Sequence, residues 1–163
     1  MRGEVGNDVL RGGQDNDRAY GGEGHDLVRG GHGSDGLNGG SGNDTLRGGT
    51  GADALRGGTG QDWLTGGTDA DRFLFANAAE AGTAASRDRI VDFAAGSDTL
   101  DFTGFMTGGH FIGAAAFTPG NGPQRRFATA TGNLSGDVDG NGSTDFQLKL
   151  VGAPVLTAGD FLF

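Results

Sequence analysis

The 163-residue sequence contains no cysteine, so neither a disulfide nor a thiolate-bound metal holds its fold. No run is long and apolar enough to cross a membrane, and the N-terminus does not read as a cleaved signal peptide. A chain of this kind that leaves the cell needs another export route. The three histidines, His25, His32 and His110, show no zinc spacing, and there is no HExxH. A GxSxG elbow is absent too, and no thiol can serve as nucleophile. Glycine loops abound, but they lack the following helix and lysine of a phosphate cradle, and they face carboxylates. With no catalytic constellation, the chain is not expected to be an enzyme, and nucleic acid is not an expected partner. Phenylalanine is missing from the first part of the chain. All eleven lie from Phe73 onward, so a different core begins there. The length allows one domain or two small ones.

What is present is a repeat. From Gly3 to Leu74 the chain reads GEVGNDVLR, GGQDNDRAY, GGEGHDLVR, GGHGSDGLN, GGSGNDTLR, GGTGADALR, GGTGQDWLT, GGTDADRFL. The first position is glycine in all eight units. The sixth is aspartate in all eight: Asp8, Asp17, Asp26, Asp35, Asp44, Asp53, Asp62 and Asp71. The eighth is apolar throughout: Leu10, Ala19, Val28, Leu37, Leu46, Leu55, Leu64 and Phe73. A period this short implies a solenoid.

Paired glycines let the backbone turn sharply with its carbonyls exposed. The three residues after each Asp suit a very short strand with the middle side chain turned inward. Turn, strand, turn, strand makes a coil of eighteen residues, so repeats of odd and even rank stack on opposite sides. Two carboxylate ladders result, Asp8–Asp26–Asp44–Asp62 and Asp17–Asp35–Asp53–Asp71, with rungs roughly 4.8 Å apart. Bare, neighbouring rungs repel by roughly 3 kcal/mol at an effective dielectric of about 20. A hard cation between rungs removes that cost. Carboxylates plus the carbonyls of Gly22, Gly24, Gly31, Gly33, Gly40, Gly42, Gly49, Gly51, Gly58 and Gly60 make an all-oxygen shell, which selects calcium over softer metals.

The nonapeptide GGxGxDxUx, with U a large apolar residue, resembles that of RTX proteins, which wind into a calcium-loaded parallel β-roll. The resemblance spans Gly3 to Leu74, with Glu4 in place of the second glycine and Asp15 and Asp69 in place of the fourth. It implies an all-β chain: a right-handed parallel β-roll over residues 3–75, followed by a β-rich C-terminal cap over 76–163. Three gaps in each column allow at most six ions, and four to six Ca2+ are expected in the roll. Residues 1–74 carry seven Arg against twelve Asp and Glu, a net of −5, which six calcium ions would invert. With about one inward side chain per nine residues, burial falls far short of the entropy of ordering the backbone. Without metal, this half is expected to be disordered.

The segment RDRIVDFAAGSDTLDFTGF (Arg87–Phe105) alternates like two strands around a turn at Gly96–Ser97. It resembles the DRIxDF…GxDxxD segment after the roll in serralysin-type proteases, where it would cover the last coil. Asp88 and Asp92 read either as ligands of a final calcium site or as surface carboxylates. Gly108 to Pro123 reads as loop with short strand pieces, and strands are expected near Arg126–Thr131 and Asp145–Val151. Between them lies GDVDGNGSTDF. Asp137, Asp139, Asn141 and Asp145 stand at positions 1, 3, 5 and 9 of a calcium loop, but Leu148 replaces the bidentate glutamate and excludes an EF-hand. The segment reads either as a site for one further cation in the cap or as a polar turn held by Asx bonds.

The C-terminal LTAGDFLF places Thr157 and Asp160 as a capping box for one helical turn. An acidic residue followed by three apolar ones resembles the export signal of RTX proteases and lipases. That implies a secreted, extracellular protein exported by a type I (ABC) apparatus. It can equally be the strand that closes the cap. The uncapped first coil leads us to expect a cargo domain upstream. Calcium-triggered folding would then support export, folding and stabilisation of that cargo.

A second reading comes from one face. Arg11, Arg29 and Arg47 at position nine, beside Val9, Leu27, Thr45 and Trp63 at position seven, point outward. Such a stripe fits an anionic polysaccharide of the alginate type, through guanidinium–carboxylate pairs and stacking on Trp63. It resembles the modules of mannuronan epimerases. It also fits a surface that docks a neighbouring domain or only covers the sheet.

Overall fold

The computed structural model describes residues 1–106, 110–111, 120, 123–128, 131–152 and 154–163. Among these the protein is nearly all β, with parallel strands stacked coil upon coil into a solenoid. One sheet has the order β1 (Arg2–Val5), β3 (Arg18–Glu23), β5 (Gly36–Ser41), β7 (Ala54–Thr59), β9 (Arg72–Leu74), β11 (Thr99–Asp101) and β16 (Phe161–Leu162). The other runs β2 (Val9–Gly13), β4 (Leu27–His32), β6 (Thr45–Thr50), β8 (Trp63–Thr68), β10 (Asp88–Ile90), β15 (Phe146–Leu150), β14 (Asn133–Asp137), β13 (Gln124–Ala128) and β12 (His110–Phe111). Register is held at one coil per step: Leu10 pairs with Val28, Val28 with Leu46 and Leu46 with Leu64.

Most roll strands are six residues long rather than three. Each continues through the paired glycines of the next repeat, and position one, like position eight, faces inward and is buried, as at Val28 and Gly30. The glycine pair is therefore part of the strand, and the turn is confined to the residues after it. Glu4, Asp15 and Asp69, the three departures from the glycine pattern, all take the left-handed φ that the loops require, at 84°, 67° and 80°. The inward column of Ala19, Val28, Leu37, Leu46, Leu55, Leu64 and Phe73 is fully enclosed.

The stack does not stop at the end of the repeats. Ile90 lies against Leu64 and Leu100 against Phe73, both parallel, so β10 and β11 form a fifth coil in different sheets. The two strands expected around the turn at Gly96–Ser97 are thus present, but they join different sheets and do not pair with each other. Parallel stacking on the roll satisfies the strand edges that a hairpin would have left open. A short helix, α1 (Ala78–Ala81), fills the longer loop between β9 and β10, with the Asn77 side chain accepting from Glu80 N at 3.2 Å.

The C-terminal segment closes both sheets. β15 pairs parallel with β10, β14 joins it antiparallel, and β16 pairs with β11. β15 covers most of the strand expected near Asp145–Val151, and β13 the first half of the one expected near Arg126–Thr131, of which 129–130 lie outside the described residues, whereas β14 was not foreseen. The loop expected over 108–123 lies mostly outside the described residues. The cap core gathers around Phe102, whose ring stands 5.2 Å from Phe146, 5.5 Å from Phe75 and 6.4 Å from Phe161. Thr157 caps a 3₁₀ turn at Ala158–Asp160, with Asp160 Oδ2 accepting from its N–H at 2.6 Å and its hydroxyl at 3.0 Å. The terminal strand then follows directly. Both the capping box and the closing strand are present.

Candidate metal centre

Each roll aspartate opens a strand, where the turn delivers it to the inside of the coil. Along one column Asp8 N donates to Asp26 Oδ1, Asp26 N to Asp44 Oδ1 and Asp44 N to Asp62 Oδ1, all at 2.8 Å. Along the other, Asp17 N donates to Asp35 Oδ1 and Asp35 N to Asp53 Oδ1 at 2.7 Å, and Asp53 N to Asp71 Oδ1 at 3.0 Å. One oxygen of each carboxylate from Asp26 onward thus fixes the rung to the coil before it. The second oxygen is left over. In Asp8, Asp26, Asp35, Asp44, Asp53, Asp62 and Asp71, Oδ2 is buried and has no hydrogen-bond partner. A buried, unpartnered anionic oxygen is costly once, and here it recurs at every coil.

What lies beside these oxygens is backbone. A Cβ placed on Gly39 would sit 2.3 Å from Asp44 Oδ2 and 2.5 Å from the Gly57 carbonyl oxygen. The same holds at Gly21, with Asp26 Oδ2 at 2.3 Å and the Gly39 carbonyl at 2.4 Å. Position one is therefore glycine because the carboxylate and a carbonyl from the next coil occupy the room a side chain would take. These first-position carbonyls escaped the sequence reading, which took glycine there as a turn residue. The expected carbonyls, at positions two and four, point along the stack. The Gly22 oxygen lies 2.1 Å from where a Cβ of Gly40 would be, and the Gly24 oxygen 1.9 Å from that of Gly42. The corresponding glycines Gly31, Gly33, Gly49, Gly51, Gly58 and Gly60 share the positive φ of this pair.

Burial and like charge act together on the ladders. Burial, with Asp44 and Glu80 nearby, pushes Asp62 up to about 7. Asp53 and Asp71 rise to about 6, first from burial and then from neighbouring carboxylates. Asp35 and Asp44 are raised for the same reasons. Such groups hold a proton or a cation in place of a bare charge. An all-oxygen, anionic, buried donor set with no competing N–H fits a hard divalent ion.

Two more carboxylates extend the ladders. Asp88 Oδ1 accepts from Asp62 N at 2.8 Å, and Asp98 Oδ1 from Asp71 N at 3.0 Å. Asp92 instead receives Gly66 N at 3.0 Å and Gly67 N at 2.9 Å. A second ladder runs outside the first. Asn7 Oδ1 accepts from His25 N at 2.8 Å, His25 Nδ1 from Asn43 N at 2.7 Å, and Asn43 Oδ1 from Gln61 N at 2.9 Å. The exposed histidine thus serves as one rung of a polar edge.

In the cap loop, Asp137, Asp139 and Asp145 bring carboxylate oxygens within 4.8 Å of one another. Asx bonds hold this loop: Asp137 accepts from Gly140 N at 2.8 Å and Gly142 N at 2.9 Å, Asp139 from Asn141 N at 3.0 Å, and Asn141 Oδ1 from Ser143 N at 2.6 Å. On the outer face, Arg11, Arg29 and Arg47 stand in one register line, and Trp63 is 46% exposed with the Arg89 guanidinium 5.0 Å from its ring centre.

The signature described as "Peptidase M10 serralysin C terminal" matches residues 3–163. The chain belongs to that family. It is a calcium-binding β-roll module of the RTX type. Among solved structures, the AlgE6R3 subunit of the Azotobacter vinelandii mannuronan C5-epimerase is similar to this serralysin-type module. The two are 24% identical over 99% of this chain and 80% of that one, with a TM-score of 0.57, a likeness of fold. The AlgE6R2 subunit of the same enzyme is 29% identical over 100% of this chain and 91% of that one, with a TM-score of 0.47. No curated protein matches the chain.

Proposed function

We propose that this module folds on binding extracellular calcium and thereby supports type I secretion, folding and stabilisation of an attached protein. The observation that carries the reading is the row of buried, unpartnered Oδ2 oxygens in two stacked columns. Bound between successive rungs, calcium would neutralise them. The residues proposed to hold it are the eight roll aspartates together with the loop carbonyls, including those at position one. Four to six ions fit the roll, and one more fits the loop of Asp137, Asp139, Asn141 and Asp145. In a calcium-poor cytosol the chain would stay unfolded and able to thread an exporter, its C-terminus engaging the ABC apparatus. Outside, at about 10⁻⁴–10⁻³ M calcium, it would fold and oppose backsliding. Calorimetric titration followed by circular dichroism tests this. Calcium uptake with a coil-to-β transition is expected, and full β-structure in excess chelator at neutral pH would defeat it.

One observation favours a second reading. Arg11, Arg29 and Arg47 are stacked like charges, and among the described residues the ion pairs are Arg56–Glu80 and Arg72–Asp101. An anionic polysaccharide on this stripe, beside Trp63, would supply the missing carboxylates. Alginate should then bind the calcium-loaded form, weakened by salt. Arg11, Arg29 and Arg47 replaced together by Ala should abolish binding at unchanged calcium affinity. No binding at low salt would leave the secretion reading alone.

A further inference from the structure

Position two of the repeat sits under the coil before it. A Cβ on Gly22 of β3 would lie 1.9 Å from the Glu4 carbonyl oxygen, one on Gly40 2.1 Å from that of Gly22, and one on Gly58 2.0 Å from that of Gly40. The other sheet repeats this at Gly31, Gly49 and Gly67, at 2.3, 2.1 and 2.0 Å. The Cα–Cβ direction here runs along the stack toward the preceding coil, and the obstacle is the backbone of the ladder partner. Glu4 is the one position-two residue that is not glycine. It lies exposed in β1, the edge strand of its sheet. Its φ of 84° is left-handed, as is the 120° of Gly22. Its Cβ therefore projects off the end of the roll, into the place that the position-two carbonyl of a further coil would occupy.

Position four shows what the fold can absorb. There too a Cβ crowds the preceding carbonyl, at 1.9 Å for Gly42, yet Asp69 stands in a unit that has a coil before it. The turn gives way. Gly51 N donates to Asp69 Oδ2 at 3.1 Å, where the equivalent Gly33 N reaches the Thr50 carbonyl at 2.9 Å. Asp69 lies beyond the end of β8 and can exchange one acceptor for another, and Asp15 holds the same position in the second unit. Position two lies inside the paired strand. A side chain there displaces a ladder carbonyl, and a carboxylate has no proton to offer that oxygen.

We propose that Glu4 is a stop built into the roll. It closes the β1 edge to parallel strand addition, so that no further nonapeptide coil, from this chain or another, stacks on the first. Open sheet edges invite pairing with other chains, and a charged side chain aimed along the hydrogen-bonding direction blunts one. Gly13, the counterpart on β2, would have nothing within 4 Å of a Cβ, so the block is confined to one sheet. The attached protein of the reading above then meets this end through side chains, not by lengthening the solenoid. The block comes from stacking geometry and does not depend on which ion the ladders hold.

Hydrogen exchange read by mass spectrometry, in saturating calcium, tests the stop. An added coil that copies Gly21–Asn38 is inserted between Arg2 and Gly3. Its strand facing β1 should exchange freely beside Glu4 and become protected with Glu4→Gly, while Asp15→Gly leaves it free. A second arm needs no insertion. Gly13→Glu and Gly22→Glu both place glutamate at a left-handed φ, 114° and 120°, but only Gly22 lies under another coil. Gly22→Glu should strip the protection from β1, and Gly13→Glu should keep it. An added strand that is protected beside Glu4, or still free with Glu4→Gly, overturns the stop. So does protection gained by Asp15→Gly alone, or a β1 that stays protected in Gly22→Glu.

Discussion

Asp62 N donates to Asp88 Oδ1 at 2.8 Å, the same distance that joins Asp44 to Asp62 within the repeats, although Asp88 lies outside the nonapeptide array. The ladder is thus continued in space after it has ended in sequence. An unbroken N–H to carboxylate chain joins roll and cap, so a change at one rung is expected to act along its column.

Asp44→Ala removes an oxygen pair adjoining two gaps and the acceptor of Asp26 N. The calcium midpoint should rise about tenfold or more, with lower cooperativity, because binding and folding are coupled. Circular dichroism against free calcium checks this. An unshifted midpoint with one ion fewer would show that the sites act independently.

Gly39→Ala should act on calcium affinity at a backbone geometry that alanine can adopt. Its Cβ would meet Asp44 Oδ2 at 2.3 Å and the Gly57 carbonyl at 2.5 Å, so the carboxylate must move. Gly96→Ala is the control, since a Cβ there meets open space and only its φ of 84° resists, at about 1 kcal/mol. The calcium midpoint should therefore rise markedly for Gly39→Ala and little for Gly96→Ala. Equal shifts would contradict the role given to position one.

Acidification should order the metal-free chain. Asp53 and Asp71 near 6, Asp62 near 7 and Asp88 near 9 all sit above the ordinary carboxylate value, with burial as the first cause. Because the folded state binds these protons more tightly, their stabilisation is complete below the unfolded pKa of about 4 and is lost as pH rises through the folded values. In chelator, β-structure should therefore grow from pH 8 to pH 5. With calcium present the sign reverses, since protons compete for the same oxygens and the midpoint rises. A far-ultraviolet spectrum in chelator that is unchanged between these pH values would refute the burial argument.

The Glu80–Arg56 pair predicts an asymmetry. Glu80 is buried, and burial alone would raise its pKa, yet bonds from Arg56 and Ala76 N hold it below the usual range. Arg56 keeps 41% of its side chain exposed. Arg56→Ala strands a buried carboxylate beside the ladder and should cost about 3 kcal/mol, whereas Glu80→Ala leaves a guanidinium that water can reach and should cost about 1 kcal/mol. Chemical denaturation in saturating calcium would rank them, and the reverse order would refute the account.

Much of the molecule was legible because the repeat is self-explanatory. An invariant Asp and an inward apolar residue in every nine dictate a stacked coil, two columns and a carboxylate ladder, whichever residues fill the variable places. Even the departures could be read, since Asp15 and Asp69 accept the left-handed backbone their loops need. The first-position glycines were harder. Their reason is not φ but the carboxylate folded over them, which is visible only once the coil is closed.

Beyond Phe73 the chain has no period, and the sequence alone could say only that short strands build a cap. Alternation around Gly96–Ser97 fits a hairpin locally. The tertiary structure chose parallel stacking because the last coil offered two open edges and an inward apolar column for Ile90 and Leu100 to continue. The same competition placed β16 against β11 and left Asp88 Oδ2 without a partner, while that of Asp98 accepts from Ala94 N. Local pattern determined the roll, because each coil repeats the contacts of the one before it. Only long-range pairing decided the cap, because its strands find partners from distant parts of the chain.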